Sequence, residues 1–136
     1  MIHDIAAALA DAMSQVEGLR TSAYPVESPA HPHASVRIGS INYHGAFAGM
    51  GFTECRWVIT VTVGRVALRS TMQALETLID PSGDVTTSIP KAIEDDRTLG
   101  GKCSSLKVVG VSQVGTTADE EAALVAALEV VTYAEP

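Results

Sequence analysis

Positive charge is scarce in this chain. Nine Lys and Arg stand against sixteen Asp and Glu in 136 residues, a formal net charge of −7, and the sequence pI is about 4.9. The nine cations are scattered and form no basic run. Sequence-independent binding to nucleic acid works by displacing counterions from phosphates with a cationic patch. The composition therefore argues against a protein that grips DNA, although like charge does not prevent DNA from sliding past it. Cysteine is nearly absent: Cys55 and Cys103 lie far apart and fit no metal or redox spacing. The expectation is a pair of buried, reduced thiols. Long apolar runs are missing too, and nothing approaches the roughly 18–20 residues of a membrane span. Met1–Val16 carries Asp4 and Asp11, with no basic start and no apolar block, so it does not read as a secretory signal. The expected chain is made in the cytoplasm, soluble, and without membrane contact.

Total charge is also low. Charged residues make up 18% and hydrophobic residues 46%, against roughly 25% charged in ordinary soluble domains. The length suits one domain over residues 1–136, which as a monomer would bury roughly 68–70% of its extended-chain surface. Surface left without charge is surface that partner copies can cover, so an oligomer is expected.

Constellations that carry chemistry are equally thin. The histidines are His3, His31, His33 and His44. His31-Pro32-His33 with the distant His44 could in principle begin a zinc site. However, proline fixes the spacing without a supporting helix or turn, and no Cys, Asp or Glu lies close enough to complete the set. These histidines read as solvated loop residues, with no metal bound. Glu94, Asp95 and Asp96 form an acidic run, but adjacent helical residues do not face one another as a catalytic pair must. A solvated helix end, or a salt-bridge donor to a neighbouring subunit, is the expectation. There is no G-x-S-x-G elbow, no G-x-G-x-x-G and no Walker motif. No catalytic residue, cofactor or enzymatic activity is expected.

What is present is pattern. Ile5, Leu9, Met13 and Val16 make one apolar stripe along a predicted helix Ile2–Glu17, with Gly18 as its left-handed stop. A short strand is predicted over Leu19–Tyr24, a proline-rich loop over Pro25–His33, and a second strand over Ala34–Ile38. Gly39–Phe52 contains four glycines with Tyr43, Phe47, Met50 and Phe52 among them. It reads either as a mobile contact surface or as a hairpin folded back on the core. Thr53–Val63 is the clearest strand: Cys55, Trp57, Ile59, Val61 and Val63 alternate with Glu54, Arg56, Thr60 and Thr62. A main helix follows over Ala67–Asp80, with Leu68, Met72, Leu75 and Ile79 on one side. Trp57 is expected to be buried against it. Ser88 is placed to cap a short helix from Ile89 to about Asp96, with Pro90 in its first turn. Gly100-Gly101 stops that helix, and a strand is predicted over Leu106–Val114. The last segment is ambiguous: Ala122–Leu128 has helical composition and Glu129–Tyr133 strand composition. The sum is an α+β fold, a mixed or antiparallel sheet of about four to five strands with helices packed on one face.

The order of these parts resembles the tail terminator proteins of long-tailed, siphovirus-type bacteriophages. The matching pieces begin with an Ala6–Arg20 helix and turn, and Asn42-Tyr43-His44 before a glycine-rich segment. They continue with a strand running into Val63-Gly64-Arg65 and a helix ending in Asp80-Pro81-Ser82-Gly83. Ser88 with Ala92-Ile93-Glu94-Asp95-Asp96, then Thr98-Leu99-Gly100-Gly101, complete the series. Together they cover most of the chain, and their weight lies in order and spacing. The C-terminal segment departs from the pattern, being Ala-rich where a Gly or aromatic residue would enter the last strand. The resemblance implies that the final element is a strand, about Leu124–Tyr133, returning to the sheet. It implies a structural role: a hexameric ring capping the head-proximal end of the tail tube, halting its polymerisation, and joining the major tail tube protein to head-completion or connector proteins. Genomic DNA would pass through the ring without specific binding. Tyr43, His44, Phe47, Met50 and Phe52 are the expected contact residues, in a virion protein assembled in the host cytoplasm. A head–tail connector nearer the capsid is the neighbouring alternative. A small metal- or ligand-binding module, or a hydrolase with an unrecognised site, are alternatives of other classes.

Overall fold

The computed structural model describes residues 2–25, 32–43, 53–65, 69–116 and 123–134. Within them lie three helices, α1 (Ile2–Met13), α2 (Arg69–Ile79) and α3 (Ile89–Glu94). Five strands accompany them: β1 (Arg20–Ser22), β2 (His33–Asn42), β3 (Thr53–Arg65), β4 (Ser105–Thr116) and β5 (Ala123–Ala134). The strands form one sheet in the order β1-β2-β3-β5-β4. β1 runs parallel to β2, and every other neighbouring pair is antiparallel. All three helices pack on one face, giving the expected α+β domain.

β3 is the spine, and its alternation holds. Cys55, Trp57, Ile59 and Val61 are at most 2% exposed on the helix side. β5 supplies the matching row, with Val130 opposite Trp57, Leu128 opposite Ile59 and Ala126 opposite Val61. The ambiguous C-terminal segment is thus a strand, and a central one. Its Ala and Leu residues would suit a helix in isolation, but pairing on both sides satisfies their backbone groups and buries every second side chain. Trp57 Nε1–H donates to Thr132 Oγ1 at 2.9 Å, so the largest buried side chain has its one polar atom satisfied.

The N-terminal helix is shorter than its apolar stripe. Ile5, Leu9, Met13 and Val16 are all buried, yet α1 ends at Met13. Beyond it the chain tightens into i→i+3 bonds, Gln15 N to Ala12 O and Val16 N to Met13 O, while the Ser14 hydroxyl donates back to Asp11 O. Gly18, at φ 77°, reverses the chain into β1. β1 is limited to three residues rather than Leu19–Tyr24.

β2 is longer than its alternating pattern. It begins at His33 and runs through Gly39 to Asn42, with a bulge between Ile38 and Ser40. That bulge breaks the alternation and hides the strand's second half from a period-two reading. The first part of the predicted Gly39–Phe52 loop is therefore strand.

α2 spans Arg69–Ile79 rather than Ala67–Asp80, and its buried side differs in part from the expected stripe. Leu75 and Leu78 are buried and Ile79 is half-buried, but Met72 is 41% exposed. Leu68 lies outside the described residues. From Thr71 onward the buried positions are Leu75 and Leu78, so the stripe is read around them. α3 is capped as expected. Ser88 Oγ accepts from Lys91 N at 3.4 Å, Pro90 sits in the first turn, and Ile89, Ala92 and Ile93 are buried. The helix stops at Glu94, short of Asp96. β4, two residues wider than expected at its C-terminal end, lies at the edge of the sheet.

Candidate functional surface

The helices pack on one face of the sheet, and no helix among the described residues packs on the other, although Val131 and Thr62 there are 1% and 9% exposed. Along β3 the bare side carries Glu54, Arg56, Val58, Thr60 and Thr62, and along β5 Val125, Ala127, Glu129, Val131 and Tyr133, by register and alternation. Arg56 Nη1 lies 2.7 Å from Glu129 Oε1, and Arg56 Nε lies 3.7 Å from Glu54. The hydrogen bond that Arg56 donates to Glu129, reinforced by the Glu54 charge, holds the guanidinium above its ordinary pKa. Further along, Arg37, Val58, Thr60, Ser112, Val125 and Ala127 line a shallow depression of about 600 Å³. This face is polar with modest charge. The acidic excess sits elsewhere, with Asp4 and Asp11 on α1, Glu76 on α2, and Asp80, Asp84, Asp95 and Asp96 in the turns.

The edges of the sheet are also open. β4 pairs with β5 and has no strand on its other side among the described residues. Val109, Val111 and Val114 on it are 51%, 38% and 53% exposed, which marks it as an uncovered apolar edge. Two bulges, after Val108 and after Val111, disturb its alternation. Between this edge and the helix layer lies an apolar notch of about 290 Å³, lined by Ile79, Pro81, Pro90, Val108, Val111 and Leu128 among others. On the far side, β1 covers only His33, Ala34 and Ser35 of β2. From Val36 to Asn42, β2 has no outer strand among the described residues.

Of the five expected contact residues, Tyr43 is described. It follows β2 directly and is 67% exposed, free to be touched by another molecule. His44, Phe47, Met50 and Phe52 lie outside the described residues, as does His31. His33 does not match its expectation as a solvated loop histidine. It is the first residue of β2, opposite Thr62, and is buried. Proline-rich flanking sequence concealed a strand start that only the pairing with β3 and β1 reveals. No group of three or more His, Cys, Asp or Glu able to hold a metal occurs among the described residues.

The acidic run is not a uniformly solvated helix end either. Glu94 pairs with Arg97 at 3.2 Å. Asp96 organises the following loop, where its carboxylate accepts from Thr98 Oγ1 at 2.8 Å, Thr98 N at 3.0 Å and Gly100 N at 2.9 Å. Those bonds hold the Asp96 carboxyl below the usual carboxylate range. The loop places Leu99 at φ 51°, with Gly100 and Gly101 at 68° and 90°, and so turns the chain into β4. Asp80 does similar work after α2, accepting from Ser82 N and Oγ.

Both cysteines are free and buried, as expected. Burial raises the Cys55 thiol pKa, and burial with the nearby Asp96 charge pushes Cys103 up to about 11. Neither is a ready nucleophile. No helix among the described residues is long and apolar enough to cross a membrane. No protein-family model matches this sequence, and no curated protein matches it.

Proposed function

We propose that this chain is a structural virion protein of a tailed bacteriophage. Six copies close into a ring that caps the head-proximal end of the tail tube, stops tube polymerisation and joins the tail to the head-completion proteins. The observation that carries this reading is the sheet itself, bare on one face and unpaired along β4 and most of β2 among the described residues. It occurs in a chain whose motif order resembles that of tail terminators. A one-sided sheet with open edges offers surfaces for neighbours. Contacts between two different surfaces of one chain close into a ring when the rotation divides evenly.

Six copies at −7 each would give −42, an acidic annulus that repels DNA and lets the genome pass without being held. Tyr43, together with His44, Phe47, Met50 and Phe52, is proposed to contact a neighbouring subunit or the tube protein. Aromatic side chains are among the types that concentrate binding energy at interfaces.

The test is genetic and visual. Deleting the protein from its phage should give tails of uncontrolled length that fail to join heads. Tails of normal length beside filled heads that leak DNA would instead favour a connector nearer the capsid. Particles normal in both respects would overturn the structural role altogether.

A further inference from the structure

The sheet face away from the helices differs in charge from the rest of the chain. By register, Arg37, Arg56 and Lys107 stand on it with Glu54 and Glu129. These five make a patch that leans positive in a chain of net charge −7. Arg56 is engaged by Glu129 and Glu54. Arg37 is exposed and has no ion-pair partner among the described residues. It borders the depression of about 600 Å³, with Val58, Thr60, Ser112, Val125 and Ala127. One bulge follows Arg37 on one flank, between Ile38 and Ser40, and another brackets Ser112 on the opposite flank. Bulges bend a strand and re-aim its side chains. Ser112, set out of register in this way, donates from its hydroxyl to Ala127 O at 3.2 Å. The hollow is too shallow to enclose a small molecule as ligand pockets do, and suits a broad element laid over it.

Charge selects the element. α1 carries Asp4 and Asp11 and no Lys or Arg. α2 sets Arg69 against Glu76, and α3 sets Lys91 against Glu94. α1 buries Ile5, Leu9 and Met13, and exposes Asp11 with Ala8 and Ala12 half-buried near it. Short side chains let another surface approach the helix closely. Its 12 residues give a length of about 18 Å, enough to cross the roughly 14 Å from β2 to β4 at ordinary strand spacing. Asp11, like Arg37, has no ion-pair partner among the described residues. Carboxylate and guanidinium form strong, often two-pronged pairs. The sheet lies between α1 and the depression, so no copy can bring its own Asp11 to its own Arg37. The pair can form only between copies.

We infer that α1 of one copy lies across the open sheet face of the next, with Asp11 against Arg37 and the alanines over the depression. This rests on the ring reading above and names the contact that would build the ring. Two different surfaces on opposite sides of one chain meet head to tail, and such contacts close when the rotation divides evenly.

The experiment uses the full chain. Oligomeric mass is followed by light scattering across a concentration series for the native protein, Arg37→Glu, Asp11→Lys and the double exchange. Both sites are exposed, so every variant should keep its circular dichroism and Tm. Each single change should weaken association roughly tenfold or more, because like charges then meet across the interface. The double exchange should recover most of that loss. Cysteines are then placed at Ala8 and Ser112, singly and together, and treated with a short bismaleimide; buried Cys55 and Cys103 serve as the quiet background. The inference expects a ladder of linked chains from the double cysteine variant and none from either single one. Linked dimers from Ser112→Cys alone would mean that two sheet faces meet, and would overturn it. Loss of association in Arg37→Glu but not in Asp11→Lys would overturn α1 as the element that covers the face. Native mass in both single charge variants, without cross-linking, would overturn the contact while leaving a ring built through other surfaces. A chain monomeric at every concentration would also overturn it, and the tail-length phenotype would then judge the ring reading separately.

Discussion

The two faces of β3 and β5 are made by the same strands and hold the fold in different ways. On the helix side, Trp57, Ile59, Leu128 and Val130 are at most 2% exposed, and the indole N–H of Trp57 donates to the Thr132 hydroxyl. On the bare side, neighbours one residue away, Arg56, Val58 and Thr60, remain in contact with solvent. The larger buried row thus lies on one side of a single layer, while the other side buries Val131 and Thr62 and leaves its remaining positions partly open.

The sharpest test of this division is Trp57→Ala, which should cost about 3–5 kcal/mol by chemical denaturation if the helix side holds the core. A loss below about 1 kcal/mol would mean that the two faces contribute alike. Next comes a pair of adjacent truncations. Ile59→Ala should cost about 2–5 kcal/mol, whereas Val58→Ala, half-buried on the bare face, should cost under about 1 kcal/mol. Equal losses would break the comparison. Thr132→Val is subtler, because it keeps the shape but strands the indole N–H of Trp57, at a cost of about 1–3 kcal/mol. Trp57→Phe in the same background should then recover part of that loss, measured as a double-mutant cycle.

The smallest effect is set by pH. The folded Asp96 carboxyl is held below its ordinary pKa by Thr98 and Gly100. Its contribution is therefore fully present above the ordinary carboxylate pKa of about 4 and is lost as pH falls through the depressed folded value. Asp96→Asn should lower Tm at neutral pH and flatten the acid limb of the Tm profile. An unchanged acid limb would place that sensitivity elsewhere, with Asp80 the next carboxylate to examine.

Much of this fold was legible because its core face obeys simple periods. β3 alternates from Cys55 to Val61, breaking only at the bulge between Thr62 and Gly64, and α1 keeps its stripe even where the helix tightens. Legibility failed where pairing, rather than local pattern, decides. Bulges at Gly39 in β2 and twice in β4 shift side chains between faces, so alternation under-reads the length of both strands. His33 is buried because a strand begins there, paired with β3 and β1, and Asp96 matters because three donors converge on it two to four residues downstream. Neither arrangement has a periodic trace. The bare face was anticipated from the polar half of β3, but the open edges follow from strand order, which no local pattern encodes. The contact cluster was chosen from composition, and within it Tyr43 is placed, exposed at the end of β2.

The position of β5 has a consequence for how the chain folds. It follows the other four strands of the described residues in sequence, yet it lies between β3 and β4. During N-to-C synthesis, β3 and β4 can both emerge while the slot between them is empty. Until β5 arrives, Trp57 lacks Thr132, the helix-side row lacks Val130 and Leu128, and β4 has nothing to pair with. The sheet therefore closes late, by insertion of one strand between two waiting edges, and its long-range contacts must form together. A ribosome-bound fragment ending before Ala123 would display two apolar edges at once. The step that completes the monomer is then a strand entering a slot that is open on both sides, and the core beneath Trp57 is whole only once that slot has been filled.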